Sequence, residues 1–115
     1  MTELESLRER LRKFAAAREW DQFHSPKNLA MALSVEAGEL LEIFQWLTEA
    51  QSRSLPPQAL AAASDEIADV LLYVMRLSDQ LGIDPVEAAR RKLVANALKY
   101  PVDKARGNSR KYTEL

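Results

Sequence analysis

The sequence contains no cysteine and a single histidine, His24. The first absence excludes a disulfide scaffold, a thiolate zinc site and a thiol nucleophile; the second excludes most histidine-rich metal sites. Glycine is scarce, at three residues in 115, and five prolines punctuate long stretches of Ala, Leu, Glu, Lys and Arg. That balance favours helices over sheets and tight turns. No apolar run approaches the roughly 20 residues of a membrane span. The N-terminal MTELESLRERLRKF is charged throughout, unlike a secretory signal, so a cytoplasmic protein away from membranes is expected. Nor does one charge dominate: a formal net charge of −1 and a pI of about 5.9 supply no basic field for a nucleic-acid polymer. With 47% hydrophobic and 29% charged residues, the expectation is a single all-α domain over residues 1–115. Metal chemistry, if the chain performs any, must use carboxylates.

Start and stop signals predict four helices. Thr2 as N-cap with Glu5 three positions on is a capping box, opening a first helix to about Glu19. Ser25-Pro26 reads as N-cap and first helical residue of a second helix running to about Ala50, followed by the connector QSRSLPP. A third helix spans about Pro57 to Leu81, with Gly82 suited to a left-handed terminus. Asp84-Pro85-x-Glu87 starts a fourth, which Pro101 stops near Tyr100. The remaining VDKARGNSRKYTEL reads as an extended basic tail. The third helix is apolar on nearly every side (Ile67, Val70, Leu71, Leu72, Val74, Met75, Leu77). One short chain offers little cover for such a helix, which predicts a bundle-like fold assembled as a homo-oligomer.

On the second helix, at 100° per residue, Leu29, Leu33, Leu40, Ile43 and Leu47 all fall within about 60° of Glu36. An acid therefore stands in the middle of the apolar stripe, with Glu39 to one side. The third helix repeats the pattern: Glu66 shares a face with Val70, Tyr73 and Leu77, and Asp69 lies one step aside, near Arg76. Acids three apart on a helix converge, whereas a spacing of two splays them. If the two helices form an antiparallel hairpin, residues equidistant from the turn meet, and the midpoint of the two acid pairs falls inside the connector, between Ser52 and Arg53.

Burying one unpaired charge costs several kcal/mol, so four such acids need neutralising. Protons, basic partners and hard divalent cations are the candidates. Among Lys27, Arg53 and Arg76, only Arg76 is well placed as a partner. An oxygen-only donor set favours Mg²⁺ or Mn²⁺ over zinc. A ferritin-like di-iron centre requires Glu-x-x-His pairs, which His24, ahead of the second helix, cannot complete.

The motifs E-A-G-E (Glu36 to Glu39) and D-E-I-A-D (Asp65 to Asp69) resemble the metal motifs of the all-α nucleoside triphosphate pyrophosphatases, the MazG-like superfamily. E-W-D-Q-F-H (Glu19 to His24), P-K-N-L (Pro26 to Leu29) and F-Q-W (Phe44 to Trp46) are similar to its dCTP pyrophosphatase branch. So are K-x-x-x-N (Lys92 to Asn96), K-Y-P (Lys99 to Pro101) and S-R-K-Y-T-E-L (Ser109 to Leu115). The likeness runs in order from about residue 14 to the C-terminus. It implies a Mg²⁺-dependent enzyme, with Mn²⁺ as a possible substitute, that converts a nucleoside triphosphate such as dCTP to the monophosphate and pyrophosphate. It also implies assembly as a homodimer or homotetramer. Carried onto this chain, it assigns Glu36, Glu39, Glu66 and Asp69 to the metal and places Trp20, His24, Trp46 and Tyr73 around the base. It further brings Lys92, Asn96, Arg110 and Lys111 to the sugar or phosphates. Glu39, at the edge of the acid cluster, is the candidate to touch the nucleophilic water as well as metal.

From Asp84 to Tyr112 eight basic residues face three acids, a local net of +5, so the overall −1 conceals an acidic centre and a basic end. Lys92, Asn96 and Lys99 form one polar stripe, suited to phosphates or simply to solvent. Trp46 and Tyr73 each lie about 20° from an acid on the wheel, available to stack on a base or to pack the core. Other substrates of the same chemistry (dUTP, another dNTP, phosphoribosyl-ATP) and a non-catalytic helical module stand as alternatives.

Overall fold

Thr2 opens the first helix as its capping box requires: its hydroxyl accepts from the Glu5 amide and the Glu5 carboxylate accepts from the Thr2 amide. This helix, α1, covers Glu3–Ala17 in a computed structural model that describes residues 1–115. Helix α2 spans Pro26–Phe44, with the Ser25 hydroxyl accepting from the Asn28 amide. It ends six residues before the expected Ala50. Thr48 and Gln51 form a second capping box that starts a separate short helix, α3 (Glu49–Ser52), and a cap cannot sit inside a continuous helix.

Helix α4 runs Pro57–Leu81 and stops on Gly82, which adopts the expected left-handed backbone at φ 67°. Packing of α2 and of α1 against α4 makes the core of residues 1–83, one of two compact units. At its centre Ala15, Leu29, Ala63 and Met75 are buried, two of them small enough to let helices approach closely. Few large apolar side chains join them: Leu41, Leu60, Ile67 and Leu71 remain exposed.

The second unit, residues 84–115, is built on α5 (Pro85–Lys99), whose N-cap Asp84 accepts from the Val86 and Glu87 amides. The tail departs from the extended segment expected. It forms a short helix α6 (Val102–Ala105) and a 3₁₀ turn (Tyr112–Glu114). The Tyr112 ring meets Tyr100 edge-on at 6.1 Å, with the Lys99 ammonium 4.9 Å from its centroid. These aromatic and cation–π contacts give the tail a local docking point that helical periodicity does not reveal. All seven elements are helical, and none is long and apolar enough to cross a membrane.

Candidate active site

Helix α2 carries Glu36 and Glu39, and α4 carries Glu66 and Asp69. Packing of the two helices brings Glu36, Glu39 and Glu66 together, one carboxylate oxygen of each lying within 4.8 Å of the others. Glu36 and Glu66 are half-buried and Glu39 is exposed. The Oε2 atoms of Glu36 and Glu66 are sealed from solvent without any hydrogen-bond partner. As ionised carboxylates they have no hydrogen to offer each other; a proton on one would supply it. The Glu36 carboxyl is accordingly pushed up to about 7, first by loss of water around it, then by Glu39, Glu66 and Asp69. Glu66 is also raised, mainly by burial, with a protonated Glu36 acting in the opposite sense as its donor.

No basic side chain relieves this cluster. Arg76, the residue expected to be placed for that task, is committed elsewhere: its Nε donates to His24 Nδ1 at 3.1 Å and a terminal nitrogen donates to Asp21. Its other terminal nitrogen lies 3.8 Å from Asp79. Asp79 is held in turn by a two-pronged contact from Arg12, at 2.6 and 2.5 Å, which keeps its carboxyl below the usual range. The pairing of Arg76 with groups 52 and 55 positions away has no signature in sequence spacing.

Asp69 falls outside the tight trio. It helps line a cavity of about 220 Å³ beside it, together with Leu11, Phe14, Ala15, Trp20, His24, Leu72, Tyr73 and Arg76. Three of the four residues expected near a base (Trp20, His24 and Tyr73) thus share one mostly apolar, open-mouthed cavity, with one acid and one arginine in its wall. The fourth, Trp46, does not join them. It lies past the end of α2 and is 87% exposed, so neither the wheel position beside Glu39 nor packing within this chain describes it.

Trp20 reaches the cavity through the end of α1. Glu19 adopts φ 55°, the Glu19 amide donates to the Ala16 carbonyl, and the Trp20 amide donates back to the Ala15 carbonyl. This is a Schellman ending, in which the residue after the left-handed position folds onto the helix. Trp20 lands edge-on against Phe14, with centroids 5.6 Å apart. The motif lacks the glycine that would announce it, so the predicted helix ran two residues too far. Leu11, Phe14 and Leu72 carry no mark of a site in the sequence; their place in the cavity wall depends on how α1 meets α4.

In the second unit Lys92 is exposed and Asn96 half-buried on α5. Arg110 donates its amide to Asn108, and Lys111 precedes the 3₁₀ turn. Their guanidinium, ammonium and amide groups offer donors suited to phosphate oxygens.

Comparison with known proteins adds to this geometry. The profile of the MazG-like family matches residues 31–115. The dCTP pyrophosphatase 1 of Mus musculus is 43% identical over 114 residues, covering 97% of this chain and 67% of that protein. The dCTP pyrophosphatase 1 of Homo sapiens matches with the same identity and coverage. A crystal structure of a pyrophosphatase from Archaeoglobus fulgidus aligns with a TM-score of 0.83 at 41% identity, over 88% of this chain and 94% of that one.

Proposed function

The chain belongs to the MazG-like family, and on that premise we propose that it is a Mg²⁺-dependent dNTP pyrophosphohydrolase of nucleotide-pool house-cleaning, acting on dCTP or a 5-modified dCTP. The water oxygen bonds to the α-phosphorus, the bond from that phosphorus to the α–β bridging oxygen breaks, and pyrophosphate leaves with the electron pair. The observation that carries this reading is the trio of acids with two sealed, unpartnered oxygens and no basic side chain among them. An all-oxygen donor set of this kind suits a hard cation. Glu36, Glu39, Glu66 and Asp69 are the residues that would hold Mg²⁺, or Mn²⁺ in its place. When bound, the metal offsets triphosphate charge, lowers the pKa of water and stabilises the leaving group.

The side chains divide the remaining work. Glu39 is the residue assigned to accept the proton of the attacking water, a role its exposure at the trio supports. Trp20 and Tyr73 give the base flat apolar walls in an open-mouthed cavity, and stacking there contributes roughly 1–3 kcal/mol. His24 offers a ring edge to hydrogen-bond the base. Lys92, Asn96, Arg110 and Lys111 are the donors assigned to the sugar and phosphates. An enzyme of free nucleotides works where those nucleotides are, in the cytoplasm.

The chain self-associates in this reading, as a homodimer or homotetramer. The exposed Leu41, Leu60 and Ile67 support it, because large apolar side chains on packed helices gain from cover. Light scattering at micromolar concentration is expected to give a multiple of 13.0 kDa; a single-chain mass overturns the assembly.

A panel of dNTPs assayed with Mg²⁺ for monophosphate and pyrophosphate tests the activity. Turnover fastest on dCTP or its 5-modified forms is the expected result. Preference for another nucleotide moves the substrate within the same chemistry, and no turnover on any nucleotide overturns the enzyme.

A further inference from the structure

Arg76 is a buried arginine, 5% exposed, in the wall of an otherwise mostly apolar cavity, and the acid cluster does not use it. Three groups occupy it instead: Asp21, Asp79 and the His24 ring. The contact with His24 constrains the histidine. A guanidinium has donors only and stays charged at any physiological pH. The ring nitrogen facing it must therefore present a lone pair, and the proton must sit on the opposite nitrogen. Reversing the ring would set the Cδ2 carbon against the guanidinium and lose the hydrogen bond, so the contact fixes the ring's orientation as well as its tautomer. With Nδ1 taken at 3.1 Å, the hydrogen resides on Nε2.

Several contacts hold this arrangement still. The His24 amide donates to the carbonyls of Trp20 and Asp21, which anchors the loop, and the ring stands 6.0 Å from that of Trp20. Arg76 is tied to Asp79, and Asp79 is gripped by Arg12 across the α1–α4 contact. Burial and the adjacent guanidinium also disfavour a charged imidazole, against a smaller opposing pull from Asp21.

We infer that Arg76 is a positioning residue for base selection, holding His24 as its neutral Nε2–H tautomer so that the cavity presents a fixed hydrogen-bond donor to an acceptor on a heterocycle's edge. A carbonyl oxygen or an unprotonated ring nitrogen, both of which cytosine carries, is the chemistry that such a donor takes. An N–H edge meets a donor facing a donor. The inference rests on the proposed nucleotide-binding role of the cavity, but the tautomer can be read without any turnover.

His24 is the only histidine, so long-range proton–nitrogen NMR of the imidazole is self-assigning. The wild-type protein at neutral pH is expected to show Nε2 protonated and Nδ1 unprotonated. Arg76→Met is expected to give a mixture of tautomers and to raise KM for the preferred nucleotide roughly tenfold, the scale of one hydrogen bond, with little change in kcat. Arg76→Lys keeps a cationic donor and is expected to recover part of both effects. A wild-type spectrum showing Nδ1–H or a charged ring overturns the inference whether or not the variants fold. So does a folded Arg76→Met protein with the wild-type tautomer and KM. Failure of every nucleotide to turn over, with Nε2–H intact, counts against the enzymatic reading and leaves the tautomer assignment standing.

Discussion

The Oε2 atoms of Glu36 and Glu66, one from each of two packed helices, are both sealed from water and both without a hydrogen-bond partner. Their carboxyls titrate upward for that reason, and the direction sets a pH dependence. In the metal-free folded protein Glu36 keeps its proton up to about 7, whereas in the unfolded chain it loses it near 4.5. The folded state therefore binds more protons between those values, and the stabilisation present at low pH is lost as pH rises through about 7. His24 acts oppositely below its ordinary 6.5, since its folded value is lowered. The readout is consequently a difference. In chelator, the Tm of Glu36→Gln should exceed that of wild type by a margin that widens with pH and narrows when Mg²⁺ is added. A margin independent of pH contradicts the buried-carboxyl account.

Loss of activity separates the acids from one another. Glu36→Gln should retain the helical circular dichroism and lose more activity than the roughly 10- to 100-fold that removal of an outer-shell partner costs. Asp69 stands outside the trio and in the cavity wall, so Asp69→Asn distinguishes two roles. A metal ligand loses Mg²⁺ affinity in calorimetry and most of kcat; a residue that only shapes the cavity changes KM alone. The first outcome is expected, and full activity in either variant counts decisively against an acid-based metal site.

Trp46 makes a third test, because it is almost fully exposed within the chain. Trp46→Ala should shift stability by no more than about 0.5 kcal/mol, as surface substitutions usually do. Its KM should rise more for the preferred base than for others. Equal effects across bases would remove Trp46 from base recognition.

The helices and the acids could be read from the chain because their signals are local. The Thr2–Glu5 box, Ser25-Pro26, Gly82 and Asp84-Pro85 each act within one turn, and Glu36 and Glu66 stand out against the apolar residues sharing their faces. The Thr48–Gln51 box was equally local, yet the apolar periodicity that reaches Leu47 extended the predicted second helix past its real end. Other features are tertiary. Arg76 was expected to serve the four clustered acids, and only the packing of α1 and the Asp21–His24 loop on α4 gives it Asp21, Asp79 and His24 instead. Asp69 likewise belongs by spacing with Glu66, while its position beside Trp20 and His24 comes from the way α1 and the loop after it meet α4.

The Schellman ending of α1 supplies the last prediction. Glu19 holds a left-handed backbone at φ 55°, a conformation that costs an ordinary L-residue roughly 1–2 kcal/mol and glycine almost nothing. Part of that gain is offset because glycine also loosens the unfolded chain, by about 0.4–1 kcal/mol. Glu19→Gly should therefore stabilise the protein by up to about 1.6 kcal/mol in chemical denaturation. Glu19→Val should do the opposite, since a β-branched side chain tolerates this region worst. The same Glu19→Val change should weaken nucleotide binding, because the turn sets Trp20 against Phe14 at the cavity wall. If glycine destabilises instead, the Glu19 side chain contributes an interaction that outweighs its backbone strain, and the turn is maintained by more than the two reverse hydrogen bonds to Ala15 and Ala16.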